Sequence, residues 1–245
     1  MSARATRATA GRVLRQLRRD PRTIALIVVV PCALVFLVDQ LFADRQSVFQ
    51  QVGVPLLGLF PLVSMFLVTS ITMLRERTSG TLERLLTLPL EKLDLLFGYA
   101  IAFAVVAAVQ ATIVSLVGFG LLDLTAANSK ILVIALAVAN AVLGMALGLF
   151  FSAFARTEFQ AVQFMPAFIL PQILLCGLLV PRDEMAQWLQ WLSALMPFTY
   201  AYDALERAAT DPDLGAAFWF DVLVVCAVSV LALALGAGTL RRRTP

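Results

Sequence analysis

Residues 52–77 read VGVPLLGLFPLVSMFLVTSITMLRER. No charge interrupts positions 52–74, and Arg75, Glu76 and Arg77 follow at once. A helix needs about 20 apolar residues to cross a hydrocarbon layer ~30 Å thick. The stretch therefore reads as a membrane span that ends at a charged boundary. Five more apolar stretches follow the same pattern, over 24–42, 95–122, 131–154, 161–180 and 217–240. The chain is 60% hydrophobic and 14% charged, with a mean hydropathy of +0.88. A soluble domain of this length does not need that much apolar surface. The expected fold is an all-α integral membrane protein with six transmembrane helices, forming one domain over residues 23–240.

Charge placement orients this layout. Of 19 Lys and Arg, seven lie in residues 1–22 and four in residues 75–94; Arg156, Arg241, Arg242 and Arg243 fall on the same side. The opposite side holds only Arg45, Lys130, Arg182 and Arg207. Basic loops stay in the cytoplasm, so both termini are expected there, with 241–245 as a cytoplasmic basic tail. The net charge of +3 is small. The seven leading arginines read as topogenic charge beside anionic lipid rather than a nucleic-acid patch.

Cys32, Cys176 and Cys226 lie inside predicted spans without CxxC spacing and read as small apolar residues. The chain has no His, which removes Ser-His triads and HExxH zinc sites. The Arg-rich start followed by an apolar run resembles a secretory signal. No small-x-small site follows Leu41, so the first span is expected to stay as an anchor.

Residues 1–22 form a connecting segment, within which 11–19 can make an amphipathic helix. Val13, Leu14 and Leu17 share one face; Arg12, Arg15 and Arg19 lie largely on another. Asp20-Pro21 should stop it. Asp39 and Asp221, near span ends, read as boundary markers. Pro55 and Pro61 in the second span, and Pro166 and Pro171 in the fifth, leave two readings open: a packing adjustment, or a bend lining a moving pathway. Gly144 and Gly148 have the small-xxx-small spacing of a close helix contact, more often within a chain than between chains. Gln110, Asn140, Gln163 and Gln172 should hydrogen-bond other helices, since unsatisfied amides are costly in lipid. Gln110, Asn140, Phe164 and Gln172 are the candidates for lining a substrate path.

Two segments outside the spans carry functional signal. Residues 75–90 read RERTSGTLERLLTLPL. Gly80 permits a sharp turn; Leu82, Leu85 and Leu86 form an apolar face at i, i+3 and i+4. Glu83, Arg84 and Thr87 point elsewhere, and Pro89 closes a two-turn helix. Residues 181–202 read PRDEMAQWLQWLSALMPFTYAY. Met185, Trp188, Leu189, Leu192 and Leu195 have helical spacing, broken at Met196-Pro197. The segment is too short and polar to span. Trp188, Trp191, Tyr200 and Tyr202 suit a membrane interface, so a helical hairpin dipping into the outer leaflet is expected.

The chain resembles the membrane subunits of type-two ABC exporters, including daunorubicin-resistance-like drug exporters and relatives that move glycans and glycolipids. The resemblance rests on Arg75-Glu76-Arg77-Thr78-Ser79-Gly80-Thr81-Leu82-Glu83, on Ala155-Arg156-Thr157, on Leu170-Pro171 with Gly177 and Val180-Pro181, and on Pro197-Phe198-Thr199-Tyr200-Ala201-Tyr202-Asp203-Ala204-Leu205. The last is similar to the family pattern P-x-T-Y-x-x-D-A-L; Glu206 departs from the Arg of many relatives. The resemblance implies a coupling helix over about 80–88, with Gly80, Leu82, Glu83, Arg84, Leu85 and Leu86 engaging an ATPase. It implies re-entrant helices over about 181–200, with Pro181, Trp188, Trp191, Pro197 and Tyr200 at an outer gate. It further implies two membrane subunits, most simply a homodimer, with two ATPase subunits in the plasma (inner) membrane of a prokaryote. No G-x-x-x-x-G-K-[ST] loop occurs, so ATP and Mg belong on the partner, and this chain is expected to hold no cofactor and to be no enzyme itself.

The aromatic-rich spans favour an amphipathic drug, lipid or glycolipid-like cargo. An ion-coupled secondary transporter would want an ionisable residue deep in a span, and the span centres hold none. A lipid-processing enzyme would want a buried catalytic cluster. A non-transporting assembly or sensor subunit stays open, and dependence on a co-expressed ATPase separates it.

Overall fold

The computed structural model describes residues 3–80 and 92–238, and they are helical with connecting turns. In chain order the helices are α1 (Ala3–Arg18), α2 (Pro21–Leu41), α3 (Gln46–Thr78), α4 (Lys92–Gly120), α5 (Lys130–Phe151), α6 (Glu158–Phe164), a π-helix (Met165–Ile169) and α7 (Leu170–Leu175). A 3₁₀ turn (Arg182–Glu184), α8 (Gln187–Ala194), α9 (Pro197–Thr210) and α10 (Ala216–Gly238) follow. We call the end that carries α1, Arg75 and Arg156 the basic end, and its opposite the far end.

Among the described residues, five helices are long and apolar enough to cross a membrane: α2, α3, α4 over Phe97–Gly120, α5 and α10. They match five expected stretches to within a few residues, except that α3 begins six residues before its own. The sixth, over 161–180, is instead divided into α6, the π-helix and α7, and helix length does not establish six spans. The cause is local. Pro166 and Pro171 have no N–H for the carbonyl one turn back, so the backbone widens into a π-turn between them. The segment stops at Leu175 because Gly177 turns out with φ +107°. Pro55 and Pro61, by contrast, sit inside one unbroken helix.

The centre of the bundle is the α3–α5 contact, the most extensive among the described residues. Gly144 and Gly148 make it possible. A methyl group at Gly144 would lie 2.0 Å from the Leu62 carbonyl oxygen, and one at Gly148 2.1 Å from Thr69 Oγ1. The Thr69 hydroxyl donates to Met65 O (2.7 Å) within its own helix and lies 3.2 Å from Met145 O across the contact. The small-residue spacing thus serves packing within one chain.

The N-terminal helix begins earlier than its apolar pattern suggested. Thr6, Thr9 and Ala10 add a small-residue face, and this face seats α1 on α4 at Gly98, where a methyl group would meet Thr9 Cβ at 2.5 Å. Asp20 ends the connecting segment and caps α2, accepting from the Thr23 amide (3.2 Å) and hydroxyl (2.6 Å). At the far end Gln50 ties α3 to the 121–129 turn: its amide donates to Asp123 O (3.0 Å) and its carbonyl accepts from Thr125 N (2.9 Å).

Candidate functional site

At the basic end, the last turn of α3 gathers three elements. Arg75 donates two bonds to Glu158 at the start of α6, at 2.7 and 2.9 Å. Both side chains are more than half exposed, so this fork contributes little stability but fixes geometry. The hydrogen bond from Arg75 holds the Glu158 carboxyl below its ordinary range. One residue on, Glu76 is 4% exposed and pairs with Arg12 of α1 at 3.4 Å. The same guanidinium hydrogen-bonds the Tyr99 hydroxyl of α4 and lies over the Tyr99 ring, 5.5 Å from its centroid. Thr6 of α1 lies 3.5 Å from buried Asp94 of α4.

This clamp is absent from the sequence reading. Arg12 does not stay with Arg15 and Arg19 on the outer polar face; it turns inward to Glu76 and Tyr99. The signal was present as the stripe Thr9, Arg12, Val13 at i, i+3 and i+4, which places Arg12 beside the buried Thr9 and Val13. Glu76 and Asp94 looked like loop charges because nothing in a sequence shows which helix will cover them.

The chain leaves α3 at Gly80 with φ +72°, a left-handed backbone that favours Gly, just after the Ser79 amide closes the helix on Arg75 O at 2.9 Å. The remaining coupling candidates, Leu82, Glu83, Arg84, Leu85 and Leu86, lie outside the described residues, as does the 241–245 tail.

At the far end, α8 and α9 form a helical pair joined at Leu195 and Met196. Pro197 opens α9 as its first residue. The Thr199 hydroxyl lies 2.8 Å from Ser193 O, and the Tyr200 hydroxyl donates to Ala194 O at 2.6 Å. Tyr200 also packs edge-on against Phe220. Trp188 and Trp191 point outward at 65% and 68% exposure, so the structure brings Pro197 and Tyr200 together but not the tryptophans. Pro181 is exposed, before the 3₁₀ turn.

The depth of α9 is set by Asn140, whose amide donates to Ala201 O at 3.0 Å. Asn140 lies ten residues into α5, about 15 Å from its far-end start at 1.5 Å per residue. Ala201, one turn into α9, thus lies beside the middle of α5. Along it, Asp203 pairs with Arg182 (2.9 Å) and Arg207 with Asp221 of α10 (3.1 Å), while the Tyr202 hydroxyl donates to Glu206 (3.2 Å). Asp221 is therefore a buried ion-pair partner at 5% exposure rather than a boundary marker. Burial pushes the Asp203 carboxyl up to about 6 against the opposing pull of Arg182.

The remaining candidates are in helix contacts. The Gln110 amide donates to Ile27 O (2.8 Å) and bonds the Ser64 hydroxyl, joining α4 to α2 and α3. Gln172 accepts from the Phe198 amide at 3.4 Å, joining α7 to α9. Both are fully buried, as is Asn140. Phe164 is half-buried in an aromatic group centred on Phe151, which also touches Phe66, Phe150, Phe154 and Phe168. Gln163 is exposed.

The family model described as ABC-2 type transporter matches residues 4–208. The chain belongs to the ABC-2 type transporter family. The match runs from α1 nearly to the end of α9, so this ABC-2 chain holds both the α3 clamp and the α8–α9 pair inside the family region. The chain is similar to "Probable multidrug ABC transporter permease YbhR" of Escherichia coli K12, at 33% identity over 152 residues; that is 62% of this chain and 41% of the relative. It is also similar to "ABC transporter G family member 20" of Dictyostelium discoideum, at 28% identity over 139 residues, 57% of this chain and 19% of the relative. The match thus spans well under half the length of these curated relatives.

Proposed function

We propose that this ABC-2 chain is the permease subunit of an ATP-driven exporter, working with a second membrane subunit and two copies of a separate ATPase. In this reading the chain makes six passes of a prokaryotic inner membrane, with both termini cytoplasmic. The interrupted α6–π–α7 segment is the fifth pass, and α8–α9 form the outer re-entrant pair. ATP and Mg sit on the partner, because these 245 residues carry no phosphate-binding loop. The cargo is an amphipathic drug, lipid or glycolipid-like molecule moved outward. Family membership and the name of the bacterial relative support export; the apolar, Phe-rich helices support the cargo class.

The observation that carries this reading is the exit of α3. Its final turn is bonded to α1 and α6 and, through Arg12, to α4, and Gly80 is the last described residue before the segment whose Leu82, Leu85 and Leu86 have the spacing of an apolar face. A partner pressing there would move several elements together. The rival ion-driven carrier gains little from the structure: buried Glu76 and Asp221 and half-buried Asp203 each pair with an arginine, and buried Asp94 lies at the basic end of α4 against Thr6.

Leu85→Asp and Glu83→Lys test the reading. Export and ATPase activity are measured in complexes at equal membrane abundance. Losing the buried Leu contact is expected to cost about 2–4 kcal/mol of association and losing the rim charge less than ~1 kcal/mol, so Leu85→Asp uncouples more severely. Wild-type export and hydrolysis in both variants would sink the assignment of 80–88 as the coupling element.

A further inference from the structure

The Ala155-Arg156-Thr157 turn has no role in the function so far described. It follows α5 and precedes α6 at the basic end. Its backbone is pinned twice: the Arg156 amide donates to Gln160 Oε1 (2.8 Å), and the Gln160 amide donates to Thr157 Oγ1 (3.2 Å). The Arg156 guanidinium itself is exposed and has no ion-pair partner among the described residues. This differs from Arg12, Arg75, Arg182 and Arg207, each of which holds a carboxylate.

The unpaired arginine opens onto a cleft of about 420 Å³ lined by Phe154, Arg156, Gln160, Gln163, Phe164 and Ala167. That volume suits a small-molecule head group. Among the described residues Arg156 is the only charged one of the lining; two amides stand beside it and two aromatic rings form the apolar wall. The cleft also borders the π-helix, the kind of local widening that often marks functional sites. From Ala167 the exposed apolar side chains of Leu170 and Leu174 continue along the same segment. One end of the site thus matches a phosphate, and the other an acyl chain lying along the protein.

We infer that this cleft is a binding site for an acidic phospholipid, with the phosphate on Arg156, Gln160 and Gln163 and an acyl chain on Phe154, Phe164, Ala167 and beyond. Charge complementarity selects the occupant: a zwitterionic lipid brings an ammonium that the described lining residues, which include no carboxylate, cannot answer. Guanidinium suits phosphate because its planar fork donates two parallel hydrogen bonds.

The test uses the full chain in nanodiscs of phosphatidylcholine doped with a photoactivatable phosphatidate whose diazirine sits in the acyl chain. Adducts are located by peptide mass spectrometry. Labelling is expected to concentrate within residues 151–174. Arg156→Gln should lower it about tenfold, the loss expected for one charge-assisted hydrogen-bonding group; Arg156→Lys should lower it less, and a phosphatidylcholine probe should label weakly. Arg156 is exposed, so both variants are expected to keep the wild-type thermal transition. Equal labelling by the zwitterionic probe, or no effect of Arg156→Gln, overturns the proposal. So does full competition by soluble inorganic phosphate, which would mean the site takes a free anion. No ATPase enters the experiment, so its failure leaves the exporter reading intact, and failure of the exporter reading leaves this site to stand.

Discussion

Gly144 faces the Leu62 carbonyl so closely that any side chain must push α3 and α5 apart. Gly144→Val is expected to destabilise the protein by about 1–3 kcal/mol or more through overpacking, read as a lower unfolding temperature in detergent. Gly11→Ala, where nothing lies within 4 Å, is the matched control. The Arg12–Glu76 pair makes a second case. Glu76→Leu leaves the Arg12 guanidinium without its carboxylate and is expected to cost about 1–3 kcal/mol, while adding Arg12→Met to it recovers most of the loss. Thermal unfolding of the two single variants and the double variant checks this, and strict additivity would contradict a coupled pair. The glycines were legible in the sequence because their spacing states the need for close approach. The partnership of Arg12 with Glu76 was not, because 64 residues separate them and charge alone does not name a partner.

At the scale of elements, five of the long helices could be read to within a few residues, save for the start of α3, since uninterrupted apolar length is itself the physical requirement for crossing. The fifth apolar stretch was read with equal length but not with its break; two prolines five residues apart announce a distortion without saying which kind. The α8–α9 pair was visible as Met185–Leu195 spacing cut at Pro197, but the depth of α9 depends on Asn140 reaching Ala201, a tertiary fact. This element also carries a pH signature. The folded Asp203 holds its proton up to about pH 6, against an ordinary 3.8. Between those values the folded state binds a proton that the unfolded chain releases, so stability falls as pH rises through the window, by about 3 kcal/mol at most. Arg182, Glu206, Arg207 and Asp221 all act on the same carboxyl, and burial is the dominant cause. Unfolding measured across this window should show a shallower slope for Asp203→Asn than for the native chain. An unchanged slope would place the titration elsewhere.

For the whole molecule, the uneven distribution of arginine predicts a single orientation. A cysteine placed at Asp44, in the short turn between α2 and α3, is expected to react with an impermeant maleimide only from the outside of intact cells. Reaction only in inverted vesicles would reverse the topology and with it the assignment of α1 and the α3 exit to the nucleotide-binding side. The polar groups follow the same division, with a clamp at one end of the bundle and ion pairs along α9 toward the other.

The final turn of α3 has a mechanical consequence. Arg75 and Glu76 sit one after the other, and through them a single turn is fastened to α6 and α1, with α4 joined through Arg12. A load arriving along the chain beyond Gly80 cannot bend one rod alone; it is shared as by a yoke. The N-terminal helix, seated on α4 at Gly98, then behaves as an outrigger that resists torque. Cutting Arg12 from Glu76 would leave the load on α3 and α6 alone, and motion delivered at that end would reach α1 and α4 only through packing.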